Sequence, residues 1–345
     1  MNIGHKCLYS FLSIIVELAA IANGEEDCGI GSPSSSSPPL KSKICRTIDF
    51  QNFKNEPSIL YGESKGRFGN QLLGYALFYQ FKVSFGFNSY ITQNCRETLD
   101  LYFTPEFNQL PVLEEEICNW KDIPWESYTG HFQDFYNDPS YRKGRFILLW
   151  PQTDKTPWGY RPEDHHCKEQ DIFNKAMSKN FKNSNRLFPK HISDSVDAAL
   201  NAIADSYPPG NLPLEFISIH NRRTDHHEFM KVNFDIDPLP LSYFKDAMEY
   251  FREDLEGEAR PVFIYVSDDM DWGRERLGNE KDIHFVGKGT KDGVNVHLED
   301  QVYDLALLIK CNKTIVTRGT YSLWVSILVG GEYYTEYGPI ALDDY

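Results

Sequence analysis

The chain has 345 residues, enough for two domains of ordinary size. Hydrophobic residues make up 41% and aromatics 14%, which is sufficient for packed cores. The formal net charge of −15 argues against nucleic-acid binding, which needs a basic footprint, and it requires any anionic ligand to be met by a local cluster of cations.

At the N-terminus, Lys6 precedes an apolar run from Cys7 to Ala22 that contains Glu17. A spanning helix needs about 20 apolar residues, and a carboxylate near its centre costs about 2.5–3.5 kcal/mol. Ala20-Ile21-Ala22 fits a small-residue cleavage pattern. Residues 1–22 therefore read as a signal peptide, with an N-terminal membrane anchor as the other reading. Either sends the rest of the chain into the secretory pathway. Residues 23–58 begin acidic and continue through a Ser- and Pro-rich run, the composition of a flexible stem. Cys28, Cys45, Cys95, Cys118, Cys167 and Cys311 follow the targeting run. An even set in an oxidising compartment supports up to three disulfides with the pairing open, and Cys311 reads equally as a buried thiol.

Residues 59–207 read as an N-terminal domain. Gly66-Arg67-Phe68-Gly69-Asn70-Gln71 leads into an amphipathic helix over 71–85. Two glycines before a helix let backbone amides approach a ligand, although a plain turn and cap has the same signature. Strands are expected over 88–92 and 146–150, and a helical pattern over 171–207. Trp120, Trp125, Trp150 and Trp158 suit either a sugar-stacking cleft or a core, and cores are the commoner use. His165-His166-Cys167 lacks a zinc spacing, so no metal site is expected there.

Pro208-Pro209-Gly210 and Pro213 mark a boundary, and residues 208–345 read as a second domain. Here the pattern alternates regularly: strand 216–219, helix 241–253, strand 261–266, helix 270–277, strand 283–286, helix 299–309, strand 314–317, helix 321–329. Such alternation predicts an α/β fold with parallel strands covered by helices.

Chemistry gathers after three of these strands. The strand ending at Ile219 breaks into His220-Asn221-Arg222-Arg223-Thr224-Asp225. Arginine presents a planar, permanently charged fork that matches phosphate oxygens. Neighbours on an extended chain point apart, so one arginine is expected on phosphate and the other beside an acid. His226 and His227 read as exposed loop residues. Ser267-Asp268-Asp269 ends the next strand; its carboxylates suit ribose hydroxyls, a base edge, or an N-cap. Thr317-Arg318-Gly319-Thr320-Tyr321-Ser322 is a strand, a glycine turn and a helix start, an arrangement that binds anions through amides and hydroxyls. Asn312-Lys313-Thr314 is an N-glycosylation sequon that precedes a buried strand, so inefficient modification is expected.

With these residues in view, the chain resembles the galactoside α-1,2-fucosyltransferase family. The matching blocks are Gly66–Gln71, His220–Asp225, Val266–Met270 and Cys311–Gly331. The resemblance runs from about residue 59 to the C-terminus and is weak between 100 and 200. It implies a GT-B type fold with two facing Rossmann-like domains carrying parallel sheets. It also implies GDP-β-L-fucose as co-substrate, inversion at the sugar carbon, a galactose-terminated glycan as acceptor, and no metal or other cofactor. A Golgi type II membrane protein with a lumenal catalytic domain is implied too; cleavage after residue 22 would instead give a secreted form. By position, Arg222 would contact the diphosphate, His220 would shape that site, and Arg223 and Asp225 would support it. Gly66, Arg67, Gly69 and Asn70 would border the donor, as would Gly319, Thr320 and Ser322; Asp268 and Asp269 would complete the donor set. Arg222, Asp225 and His220 are the catalytic candidates. Asn221 and Thr224 depart from the family pattern, which bears on the acceptor more than the donor. Two other readings are a protein O-fucosyltransferase, which shares the glycine loop, and a catalytically silent glycan- or nucleotide-binding homologue.

Overall fold

The computed structural model describes residues 45–62, 68–104, 109–128, 138–149, 187–289, 298–329, 331–336 and 338–340. The targeting segment, most of the stem, Gly66, Arg67, Trp150, Trp158 and the His165–Cys167 cluster lie outside them. The described residues fall into two units.

The first unit is built on a parallel sheet of four strands in the order β2-β1-β4-β3. These are β1 (Ile59–Gly62), β2 (Asn88–Ile91), β3 (Glu126–Tyr128) and β4 (Phe146–Leu149). Helix α1 (Phe68–Phe85) links β1 to β2, and α2 (Gln93–Tyr102) and the one-turn α3 (Leu113–Glu116) follow. Ile59, Tyr90, Leu113, Ile117 and Phe146 form its core, with Trp120 and Trp125 half-buried against it. Both tryptophans thus serve packing. A disulfide joins Cys45 to Cys118 and closes the chain before β1 onto the segment after α3. Gly69 and Asn70 sit in the first turn of α1, the helix that follows central strand β1 in the chain.

The second unit contains residues 100–104 and the described chain from 187 onward. Its helices are α4 (Lys190–Ser206), α5 (Thr224–Phe234), α6 (Leu241–Asp254), α7 (Met270–Leu277), α8 (Leu298–Ile309) and α9 (Thr320–Val329). Its strands are β5 (Leu214–Asn221), β6 (Arg260–Ser267), β7 (Ile283–Phe285), β8 (Lys313–Val316), β9 (Tyr333–Thr335) and β10 (Gly338–Ile340). The order is β10-β9-β8-β5-β6-β7, parallel except for the β9–β10 hairpin. Val262 to Val266 are all buried, the continuous apolar run of a strand covered on both faces. On one face Ile217, Ile219 and Tyr265 pack on Phe244, Ala247 and Met248 of α6 and on Met270 and Leu277 of α7. Tyr243 of α6 donates its hydroxyl to the carbonyl of Val316 at 2.6 Å, which ties that helix to the end of β8. On the other face, toward α8 and α9, Ser218 donates to the Thr314 hydroxyl across the β5–β8 pair at 2.7 Å, and neither residue is exposed to solvent.

The expected α/β class and the parallel sheets are both present, with most boundaries displaced by a residue or two. Three local expectations differ. Residues 224–234 form helix α5 instead of a loop, so His226 is buried and His227 half-buried. Thr317 lies one residue beyond β8, which frees its hydroxyl at the sheet edge. The antiparallel hairpin β9–β10 was not anticipated, because three-residue strands leave almost no periodic signal. Cys311 is a buried thiol, donating to the carbonyl of Leu307, and burial pushes its pKa up. Asn312 is exposed and its side-chain amide donates to Glu215, whereas Thr314 of the same sequon is buried.

Candidate functional site

The second unit's sheet reverses direction of growth at β5. From β5 the chain adds β6 and then β7 on one side, and later β8 and β9 on the other. In an open parallel sheet the crevice at such a reversal, at the carboxyl ends of the strands, is where ligands bind. The turns after β5, β6 and β8 are therefore neighbours here, and they carry the residues singled out from the sequence.

His220 is the last β5 residue to face α8 and α9. Its ring nitrogen Nδ1 lies 2.6 Å from the Ser322 hydroxyl in the first turn of α9, and its ring packs 4.7 Å from that of Tyr321. Tyr321 in turn donates its hydroxyl to the Gln301 carbonyl of α8. The next residue, Asn221, faces the opposite side and donates to the Tyr265 hydroxyl at 2.8 Å. Both ends of the β5 edge are thus anchored before the chain turns.

Arg222 is the first residue beyond the strand. Its amide points to the Thr317 hydroxyl at 3.4 Å, and its guanidinium lies 3.6 Å from the Asp225 carboxylate. Arg223 points elsewhere. Its guanidinium lies 4.0 Å above the Trp272 ring and 3.7 Å from Asp269, and burial lowers its pKa. The two arginines therefore diverge, as alternation on an extended chain requires. Asp268 accepts from the Arg223 amide at 2.7 Å and the Thr224 hydroxyl at 2.6 Å. Asp269 caps α7 by accepting from the Trp272 amide at 3.1 Å.

After β8, Gly319 is buried and holds φ at +123°, a backbone state that a side chain disfavours. It turns the chain into α9, which opens at Thr320. The first turn of a helix presents amide donors and the positive end of the helix dipole, and here it follows directly on the β8 end. Thr317 links the two parts, its hydroxyl lying 3.4 Å from that of Ser322. After β7, the segment through Gly289 comes so close to β6 that a Cβ at Gly289 would meet the Ser267 carbonyl at 1.7 Å.

An open pocket lies on the α5 side of this edge. Arg222, His226, His227, Met230, Leu239 and Arg318 are among its walls. Burial, with Arg223 and His226 adding repulsion, pushes the pKa of His227 down to about 4, so it is a neutral imidazole at pH 7. Arg318 forks onto Glu336 and donates to the Asp237 carbonyl at 2.6 Å, clamping the α5–α6 link to the β9–β10 hairpin. Sequence reasoning gave no individual role to Arg318, Thr317 or Tyr265, although the first two lie in the strand–turn–helix motif. Nor did it note Asp304 of α8, whose carboxylate accepts from the Lys288 amide and whose pKa burial raises to about 7. A strand-end hydroxyl next to Arg318-Gly319 was the available signal for Thr317. The other three depend on partners at least 16 residues away. Among the described residues no three His, Cys, Asp or Glu side chains are grouped to hold a metal.

Fold and site together define an α/β protein whose two arginines and a helix start gather at the reversal point of a parallel sheet. The profile of Glycosyl transferase family 11 matches residues 164–335. Mouse galactoside 2-alpha-L-fucosyltransferase Sec1 is 28% identical over 274 residues, covering 78% of this chain and 64% of that protein. Galactoside alpha-(1,2)-fucosyltransferase 1 of Leontocebus fuscicollis is 27% identical over 272 residues, covering 77% and 64% respectively. The chain thus spans under two thirds of the length of these relatives. Among solved structures, NodZ alpha-1,6-fucosyltransferase soaked with GDP-fucose overlaps with a TM-score of 0.45 at 13% identity, over 83% of this chain and 99% of that one. The chain is thus similar to glycosyl transferase family 11 over residues 164–335 and to galactoside fucosyltransferases over more than three quarters of its length.

Proposed function

We propose that this protein is a galactoside 2-α-L-fucosyltransferase. In this reading it moves L-fucose from GDP-β-L-fucose to the 2-hydroxyl of a terminal galactose on a glycan, inverting the anomeric carbon. The observation that carries the proposal is Arg222 at the sheet's reversal point, beside the α9 N-terminus and the linked His220–Ser322 pair. The names of the relatives support the transferred sugar, the acceptor and the linkage.

Cleavage of the C1–O bond places growing negative charge on the departing GDP. Arg222 and the α9 amides offset that charge, and they act in a partly buried site where each donor counts for more than in water. His220 holds Ser322 and hence the α9 start in place. The acceptor hydroxyl attacks from the opposite face and loses its proton to a base. Asp225 is the proposed base: it is the exposed carboxylate beside Arg222, and both line the turn into α5. His227, in the pocket wall, has its pKa pushed down to about 4 by burial, so it is no stronger a base than a carboxylate. Because the charge is met by arginine and amides, we also propose that transfer needs no metal. The Cys45–Cys118 disulfide supports an oxidising compartment, and we place the activity in the Golgi lumen.

The test is radiolabelled GDP-fucose offered to a lactose-type acceptor and to a folded cysteine-rich domain. Label on galactose, with an α-1,2 linkage by NMR, is expected. Label only on the protein acceptor would replace this reading with protein O-fucosylation, and GDP-fucose binding without turnover would replace it with a silent binding protein.

A further inference from the structure

Asp268 occupies a place where a carboxylate can do either of two things. At the end of β6, next to an anion-binding turn, it can take ligand hydroxyls or it can hold the protein. The register decides how it is placed. Asn221 pairs with Ser267 in the β5–β6 ladder, so the residues that follow, Arg222 and Asp268, leave the sheet side by side. The turn from β5 into α5 has no cap of its own: Arg223 stands at the N-cap with φ −126° and ψ −69° and no side-chain bond to the helix. A helix start leaves amide donors that need partners. Asp268 supplies one from the neighbouring strand. One of its oxygens takes the Arg223 amide and the other takes the Thr224 hydroxyl, both within 2.7 Å. Its neighbour Asp269 caps α7 instead. Two consecutive carboxylates are therefore divided between two helices.

This arrangement fixes Arg222 from both sides. The residue before it, Asn221, is tied to β6 through the ladder and through Tyr265. The residue after it is tied to β6 through Asp268. We propose that Asp268 is a positioning residue, one that sets the direction of the Arg222 side chain by capping α5 from the adjacent strand. The proposal rests on the reading of Arg222 as the diphosphate ligand. It differs from the expectation that Asp268 touches the ribose or base, because the two roles separate by ligand. A positioning role affects only what Arg222 grips, whereas a contact role affects the nucleoside.

The experiment uses the full chain with Asp268→Ala, Asp268→Asn, Thr224→Ala and the Asp268→Ala/Thr224→Ala double variant, binding GDP and guanosine. Asp268→Ala is expected to weaken GDP by about tenfold, the cost of one charged hydrogen bond, and to leave guanosine within about twofold. Asp268→Asn can still accept from the Arg223 amide and donate to Thr224, so it is expected to recover most of the loss. Thr224→Ala is expected to add nothing in the Asp268→Ala background, because the two side chains act as one unit. The Arg222 Nε–H resonance, assigned through its loss in Arg222→Lys, reads the same geometry without ligand. It is expected to move in Asp268→Ala and return in Asp268→Asn. Parallel loss of GDP and guanosine, or an unmoved Arg222 resonance in a folded Asp268→Ala variant, would overturn the proposal. Failure of the unmodified protein to bind GDP would overturn the functional reading alone, since the resonance reports the capping independently.

Discussion

Removing the Arg222 guanidinium separates catalysis from folding more cleanly than any other change in the site. In the proposed reaction Arg222 faces, at the transition state, charge that is absent, or spread more thinly, in the ground state. Deleting one such preorganised donor costs about 2.7–4 kcal/mol, or 10²- to 10³-fold in kcat. The cost to the fold is of a different order. The ion pair to Asp225 is 3.6 Å long and its carboxylate is 44% exposed, so its loss is worth at most about 1 kcal/mol. The turn itself is held by the Arg222 and Arg223 amides, which bond to Thr317 and Asp268 whatever side chain follows. Arg222→Ala should therefore unfold within a few degrees of the unmodified protein and transfer fucose at least about 10²-fold more slowly. Arg222→Lys keeps the charge but loses the fork, and should lie between the two. The assay is steady-state transfer from radiolabelled GDP-fucose, with circular dichroism and thermal unfolding as the folding control. A folded Arg222→Ala variant whose kcat stays within about threefold would refute the assignment.

Three further outcomes are expected. Cys45→Ser opens a loop of 73 residues, which in the chain-entropy account costs about 4 kcal/mol; urea unfolding with and without reductant would show it, and an unchanged midpoint would count against a structural role for the bond. His227 titrates near 4 in the fold but near 6.5 in the unfolded chain. As pH falls below 6.5 the unfolded state takes up the proton first, so stability present above 6.5 is lost on the way to 4. After discounting for solvent access the loss is about 1–2 kcal/mol. His227→Gln should flatten that part of the stability–pH curve, and an identical slope in both proteins would contradict the burial argument. Transfer measured in excess chelator should match that in magnesium, and a loss of activity restored by a divalent ion would show that arginine and amides do not suffice.

What could be read from the sequence was whatever is encoded locally. Helix α7 was delimited to the residue, because Asp269 caps it from inside the same stretch and Leu277-Gly278 ends it. The ends of β5, β6 and β8 were visible as breaks from apolar runs into charge or glycine. Helix α5 was not, because Thr224 to Phe234 has mixed polarity and the carboxylate that caps its start lies 44 residues further on. The inaccessible surroundings of His226 follow from that helix and were lost with it. The pairing of Cys45 with Cys118 was open for the same reason: its partners lie 73 residues apart. The adjacency of the three turns came from strand order, which depends on which side of β5 each crossover falls and leaves no mark in any one segment.

The hydroxyl pair between Ser218 and Thr314 has a consequence for how the protein reaches this structure. Both side chains sit in a face sealed by helices, and each is the other's partner in the register observed. Sliding β8 by one residue along β5 would turn Thr314 to the other face and leave Ser218 opposite Lys313 or Ile315, neither of which returns its hydroxyl bond. Two sealed hydroxyls without partners would cost about 1–3 kcal/mol each, a sizeable part of the roughly 5–15 kcal/mol by which domains are stable. A misaligned sheet is thus penalised in its interior, before any ligand is present. The alignment so selected is the one that brings the Thr317 hydroxyl within reach of the Arg222 amide.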